Sequence, residues 1–407
     1  VKTRRQFLAI SAGLGAAALL AACGQSGQSS ASASTAASPA TSKPAASAAA
    51  PASAAGASAG ASQALSIDPD HPVKPRVATL EEELALPQSV LDGARAEGSF
   101  TFISSINKDV GKVMGDAFSK RYPEITMQYQ EASEEVRTVR TLTEYKAGRN
   151  KVDVAMGIGG FMEEYRNANA LTPLKDLPAY ANYDVPFRDA KDMWAGVRAQ
   201  LWSLGYNTNK VKAADLPKTW DDLADPKWKG RIGLGDRPQL WVLQLWKAWG
   251  ADRTTAFLKK LFANDVQRRK EGIDASAKLM AAGEYDLYLP VAPYHIENLV
   301  RANSPAAWFT PDPLPVAFSD IALLAKSPHP NAGKVFLNWY LSREGQAVYS
   351  KADFAVPTHP VLRSDRQYLG MWADAFLGKP WAVENSDDEA AYMPDIRKLW
   401  QSLWVGA

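Results

Sequence analysis

From Gly24 to Ser66 the chain is almost entirely Ala, Ser, Gly, Pro, Thr and Gln, with Lys43 as its one charge and no aromatic residue. Such a stretch buries too little apolar surface to offset the entropy of ordering it. It therefore confines folding to the residues beyond Ser66, and as a coil of this length it reaches roughly 35 Å end to end, at about 5–6 Å per root residue. Residues 23–66 read as a tether. Residues 67–97 read as a transition segment with an acidic, helical stretch around Leu80–Leu86. From residue 98 to 407 the composition turns rich in Trp, Tyr and Phe, over a length that accommodates two domains.

Ahead of the tether stands a segment that reads as an address. Thr3-Arg4-Arg5-Gln6-Phe7-Leu8 carries the paired arginines of a twin-arginine signal, followed by an apolar run from Ala9 to Ala22. That run is shorter than the ~20 residues a bilayer-spanning helix needs. Its end, Leu20-Ala21-Ala22-Cys23, resembles the lipobox of bacterial lipoproteins, in which the peptidase cuts before a cysteine that is then acylated. Cys23 is the sole cysteine of 407 residues, so no internal disulfide forms. Residues 1–22 thus read as a lipoprotein signal peptide and Cys23 as the lipidation site. Losing three of the 46 basic residues with the signal leaves 43 against 44 acidic ones, and the formal net charge moves from +2 to −1. Nothing in that balance resembles a nucleic-acid footprint.

Within 98–407 short strand patterns alternate with helical ones, the signature of parallel α/β layers. Ser99–Ser104 reads as a first strand. Val110, Val113, Met114, Ala117 and Phe118 repeat at helical spacing, ending before Pro123. Ile125, Met127 and Tyr129 alternate as a strand, Val136, Val139 and Leu142 mark a second helix, and Val152–Met156 a third strand. The three strands run into Ser104-Ser105-Ile106-Asn107, Glu131-Ala132-Ser133 and Gly157-Ile158-Gly159-Gly160. In open α/β sheets the carboxyl ends of strands are where ligands bind, with free backbone N–H groups facing the crevice. Taken singly, the Ser and Asn residues also serve as helix caps and the Gly residues as turn formers. Taken together, the convergent loops predict a binding wall that includes Ser104, Ser105, Ser133, Gly159 and Gly160.

Several ordered blocks resemble the family 1 extracellular solute-binding proteins of ABC importers, on the branch with ferric-ion, phosphonate and thiamine binders. They are Leu171-Thr172-Pro173-Leu174, Tyr206-Asn207-Thr208, Pro217-Lys218-Thr219-Trp220-Asp221-Asp222-Leu223, Asp225 to Ile232, Pro328 to Lys334, and Leu341 to Gln346. The resemblance implies a type II periplasmic-binding-protein fold of two α/β lobes, with a central ligand cleft and two hinge crossings. Lobe one is expected at 98–202 plus 319–360 and lobe two at 203–318. Residues 361–407, with Trp372, Trp381, Trp400 and Trp404, are expected to pack as closing helices. The crossings are expected near Leu204–Asn207 and Ala317–Leu323.

The ferric members carry an adjacent Tyr-Tyr pair and an arginine six residues after a tryptophan like Trp194. At those places this chain has Tyr294-His295 and Gln200, with Arg198 close by. The resemblance thus implies an organic solute in preference to iron, with Tyr294 and His295 on the second wall. Arg237, whose planar fork suits a carboxylate or phosphonate, and Trp241, at a helix start, join them. The four histidines, His71, His295, His329 and His359, lie far apart, and with no cysteine partner they do not read as a zinc site. No nucleophile elbow, Walker loop or H-E-x-x-H motif is present, so the expectation is a binding protein without catalytic residues, metal or cofactor. The implied partners are a small-molecule solute, an ABC permease and ATPase, and the membrane through Cys23, with the protein a monomer exported to the periplasm or cell exterior. Ferric-ion binding, or ligand sensing and scavenging without a transporter, are the alternatives.

Overall fold

Alternation and caps in the first third of the body build the scaffold of one lobe. In the computed structural model, which describes residues 65–66 and 74–405 apart from 158, 185, 354, 370–372 and 385, Ser99–Ser104 forms strand β2. Asn107 then caps a helix at Lys108–Arg121, its Oδ1 accepting the Asp109 N–H at 2.8 Å. Met114 and Phe118 on that helix are fully buried. Gly111 lets the Tyr129 ring approach so closely that a Cβ would lie 2.2 Å from it. The signal segment, Cys23, His71 and Trp372 lie outside the described residues.

Strands β3 (Thr126–Glu131) and β4 (Val154–Met156) flank β2, both parallel to it. The sheet continues from β4 to β12 (Leu314–Leu324), β13 (Pro380–Val383) and β1 (Leu65–Ser66), while β5 (Leu171–Thr172) and β6 (Ala195–Leu201) pair along the other edge of β12. Its core is aromatic, with Phe100, Phe102, Phe118, Phe336, Trp339 and Tyr340 all fully buried. A second sheet is ordered β11 (Ala306–Phe309), β7 (Ser203–Asn207), β10 (Leu287–Val291), β8 (Ile232–Gly235) and β9 (Gln267–Arg269). There β8, β9 and β10 are parallel and β7 is antiparallel to both its neighbours. Two α/β lobes result, and residues 59–407 form one compact unit.

The chain passes between lobes at Trp202, which separates β6 from β7, and again at 310–313, between β11 and β12. Both passages precede the stretches expected from sequence, because β7 already pairs in the lobe-two sheet from Ser203 and β12 in the lobe-one sheet from Leu314. A third link runs from β13 to a helix at Ser386–Val405. That helix buries Met393, Ile396, Trp400 and Trp404 in lobe two, each worth about 1.5–3 kcal/mol when removed from water. The tail thus belongs to both lobes, with its strand in one and its helix in the other.

The segment before residue 98 is also built in, and folded structure begins before the expected end of the tether, since Leu65 and Ser66 pair with Trp381 and Pro380 of β13. A capping box at Thr79 and Glu82 starts the short helix Leu80–Glu83, and Gln88–Glu97 packs against the helix Pro330–Leu341. Glu83 is fully buried and accepts hydrogen bonds from Asn182, from the Arg343 backbone and guanidinium, and from His359.

Candidate functional site

The loops that leave β2 and β4 open onto a cavity of about 460 Å³, within the size range of small-molecule sites. Ser105, Gly159 and Gly160 line it, as do Arg137, Asp320, Glu389 and Arg397. Ser104 sits one residue back and is fully buried. Its Oγ is within 2.8 Å of the Tyr129 Oη and accepts the Ile106 N–H at 3.0 Å, so it shapes the loop from inside. Ser133 accepts the Val136 N–H at 3.4 Å and caps the turn that comes next. Gly159 adopts φ +52°, and its N–H donates to the Asp320 Oδ1 at 3.2 Å. That left-handed conformation disfavours any side chain there.

Arg137 braces the floor. Its guanidinium donates to the carbonyls of Ala132 and Met156 at 3.2 Å each, and to that of Gly157. Burial pushes its pKa below the ordinary arginine value, with Asp320 and Glu134 opposing. Across the cavity the Glu389 carboxylate lies against Gly160, where an added Cβ would be 2.7 Å from its Cδ. Burial raises the pKa of that carboxyl, and the nearby Arg397 opposes the rise. The lining is therefore polar and carries charges of both signs.

The second wall is not the one drawn from sequence. It is supplied by the C-terminal helix through Glu389, Ala390, Met393, Pro394 and Arg397. Trp241 is fully buried, stacked on Trp220 at 5.2 Å and edge-on to Trp400 at 6.4 Å, and so belongs to the lobe-two core. Arg237 is exposed at the end of β8. His295 places its Nδ1 2.6 Å from the Asp274 Oδ1, and burial lowers its pKa while Asp274 pulls the other way.

Tyr294 faces a separate, narrower gap of about 40 Å³, together with Arg198 and Gln200 of β6 and with Asp353. The Arg198 Nη2 lies 3.5 Å from the Asp353 Oδ2, which also accepts the Tyr349 hydroxyl at 2.9 Å. Burial raises the pKa of the Tyr294 phenol and Arg198 acts against that. Of the nine residues expected to bind ligand, the larger cavity gathers Ser105, Gly159 and Gly160, and the narrower gap holds Tyr294. Arg198, Asp353 and Glu389 were absent from the expected set. Asp353 lies at the end of a helix more than 150 residues from Arg198, and nothing in its neighbourhood marks it. Glu389 sits in a run of helix-first-turn acids, which ordinarily signals only dipole complementation.

The remaining described histidines stay inside lobe one: His359 bonds Glu83, and His329 lies 3.1 Å from Asp153. Among the described residues no three His, Cys, Asp or Glu side chains gather as metal ligands. No described helix is long and apolar enough to cross a membrane.

Known proteins share this architecture. The chain is 29% identical over 195 residues to the Fe(3+)-binding periplasmic protein of Serratia marcescens, a match covering 45% of this chain and 56% of that one. It is 25% identical over 309 residues to a periplasmic protein of Salmonella typhi named for binding 2-aminoethylphosphonate, covering 72% and 87% respectively. The chain spans about half the length of the iron-uptake relatives it matches. Among solved structures, iron-bound HitA from Pseudomonas aeruginosa superposes with a TM-score of 0.60 at 22% identity, over 75% of this chain and 99% of that one. Residues 149–368 match the model of the bacterial extracellular solute-binding proteins. That is more than half of the 407 residues, in a chain folded as two lobes about a cleft, and the protein belongs to that family.

Proposed function

We propose that this protein captures a small organic solute between its lobes outside the cytoplasm and hands it to an ABC permease and its ATPase. The observation that carries the reading is the cavity of about 460 Å³, walled on one side by loops of lobe one and on the other by a helix rooted in lobe two. Its size and mixed charge suit a small polar molecule. Ser105, Gly159 and Gly160 are its first-wall contacts, with Ser104 and Ser133 holding the loops behind them. Arg237, Tyr294 and His295 contribute from lobe two when the lobes part and reclose around a solute. The protein acts as a monomeric binding protein without catalysis, anchored by lipid at Cys23 after twin-arginine export. A Cys23→Ala variant should leave the membrane fraction or remain unprocessed, and retention in membranes at mature size would refute the anchor.

A thermal-shift screen of amino acids, phosphonates, polyamines and sugars tests the capture reading. A true solute at 100 times its Kd adds about 2.7 kcal/mol. Ser105→Trp, which puts a large ring into the cavity lining, should abolish that shift, and an undiminished shift would place the solute elsewhere.

The second reading is ferric-ion binding, favoured by the position of Tyr294 and by the named specificity of the iron-binding relatives. The donors here are one phenol and the Asp353 carboxylate, the latter already engaged by the Arg198 guanidinium and the Tyr349 hydroxyl, with His295 turned to Asp274. A cation beside the phenol disfavours a trivalent metal. Adding ferric citrate should therefore give no strong tyrosinate-to-iron absorption. A band that is lost in Tyr294→Phe would reverse the preference.

A further inference from the structure

The first turn of the C-terminal helix carries Asp387, Asp388 and Glu389 in succession, and these carboxylates reach opposite lobes. Asp387 pairs with Arg166, on the lobe-one helix Met162–Asn167. Arg166 is itself held by Asp189 at 3.3 Å, with side-chain exposures of 12% and 2%, so this cation is fixed in place. Glu389 rests on the lobe-one loop, its carboxyl so close to Gly160 that a Cβ there would lie 2.7 Å from the Glu389 Cδ. Asp388 instead pairs at 2.5 Å with Lys247, on the lobe-two helix Val242–Trp249.

The body of the helix is rooted in lobe two. Met393, Ile396, Trp400 and Trp404 are buried there, and the Trp400 Nε1–H donates to the Asp236 Oδ1 at 2.7 Å. Burial on that scale fixes the helix to lobe two far more firmly than two polar contacts fix its first turn to lobe one. If the lobes part, the helix travels with lobe two, and the contacts that break are those of Asp387 and Glu389.

We propose that this turn is an electrostatic clasp that holds the lobes closed in the solute-free protein, through Asp387 on Arg166 and Glu389 on the Gly160 loop. The clasp sets the resting balance between open and closed forms, because each of its contacts exists only in the closed one. It does so whether or not the neighbouring cavity takes a solute, so it stands apart from the capture reading. Arg166 is mostly buried while Asp387 is about half exposed. Salt therefore weakens the pair without abolishing it.

The test uses the full chain with Cys23→Ser and spin labels at Lys112→Cys in lobe one and Lys259→Cys in lobe two, both exposed positions. Pulsed electron–electron resonance on the solute-free protein should give one short distance population for the parent. Asp387→Asn with Glu389→Gln should raise the ratio of the long to the short population by roughly tenfold, the change that about 1.4 kcal/mol produces. Raising ionic strength from about 20 to about 500 mM should move the parent part of the way toward the long population and leave the double variant unmoved. Arg166→Gln, which removes the cation without setting a second carboxylate beside Asp189, should raise the long population as Asp387→Asn alone does. An unchanged distribution in the double variant overturns the proposal. So does an unchanged distribution in Arg166→Gln.

Discussion

Replacing Glu83 with Ala removes the acceptor at the centre of a sealed network. The carboxylate is fully buried and receives the Asn182 amide at 3.0 Å, the Arg343 N–H and Nη2 at 2.8 Å each, and His359 Nε2 at 3.1 Å. Asn182 and His359 are themselves almost wholly buried, so the lost partners are not regained from water. Breaking a buried ion pair by deleting one member costs about 3–5 kcal/mol. At about 2–4 °C per kcal/mol for a unit of lobe size, the melting temperature should fall by roughly 6–20 °C. The pH dependence carries the same signature. Burial raises the Glu83 pKa, but bonds from His359 and Arg343 outweigh it and hold the carboxyl below its ordinary 4.5. Its stabilisation is complete above that value and is lost as pH falls through the folded-state pKa. Burial likewise pushes His359 below its ordinary 6.5, with Glu83 opposing, so the unfolded chain takes up that proton first and stability declines as pH drops under 6.5. Calorimetry from about pH 8 to about pH 3 should show the parent losing stability along this course, whereas Glu83→Ala, without the carboxylate that opposes the depression of His359, should decline more steeply below 6.5 and lack the further loss below 4.5. Glu81→Ala, at an exposed position of the same turn and outside the capping box, is the control. A Glu83→Ala protein melting within about 1 °C of the parent would refute the network, and with it the inclusion of residues 74–97 in lobe one.

Trp241→Ala should destabilise lobe two by about 3–5 kcal/mol in urea titrations, since it empties a stack against Trp220 and Trp400; a loss under about 1 kcal/mol would return Trp241 to the cleft. Gly345→Ala should cost about 3 kcal/mol, because its Cβ would meet the Trp339 carbonyl oxygen at 2.2 Å and the Tyr340 Cα at 2.6 Å, and backbone cannot step aside. Melting curves check this, and an unshifted midpoint would show that the helix junction is looser than described. Gly111→Ala should also destabilise lobe one, because its Cβ would lie 2.2 Å from a Tyr129 ring whose hydroxyl is held by Ser104 and Ile106; an unshifted melting midpoint would contradict that close approach.

Local signals were legible wherever neighbours in sequence are neighbours in space. The alternation of Ile125, Met127 and Tyr129 and the 3.6-residue repeat from Val110 to Phe118 announce β3 and the helix before it, because each element's buried face is written within its own residues. The loop ends emerge from the same pattern, which is why Ser105, Gly159 and Gly160 meet at one cavity. Trp241, Leu245 and Trp249 share helical spacing, yet spacing alone does not tell whether the first ring turns to a cleft or to a core. The tertiary partner Trp400 decides it, and that residue lies about 160 positions later. The C-terminal helix was opaque for a similar reason. Its three acids read as complements of its own dipole, while Arg166 and Lys247 come from elements far upstream. Glu83, too, looks like an ordinary first-turn acid until Arg343 and His359 enclose it.

The third link between lobes also sets a timetable for synthesis. Strand β12 ends at Leu324, but β13 and the last helix, which complete the two lobes, finish only at Val405. At about 5–20 residues per second the ribosome takes roughly 4–16 s over that interval. Throughout it the Trp220–Trp241 stack and Phe262 lack the cover of Trp400 and Trp404. Nascent chains therefore display an unsealed tryptophan cluster until Trp400 and Trp404 have been made. Products that stop short of residue 386 keep it on show, which makes them natural clients for chaperones and proteases.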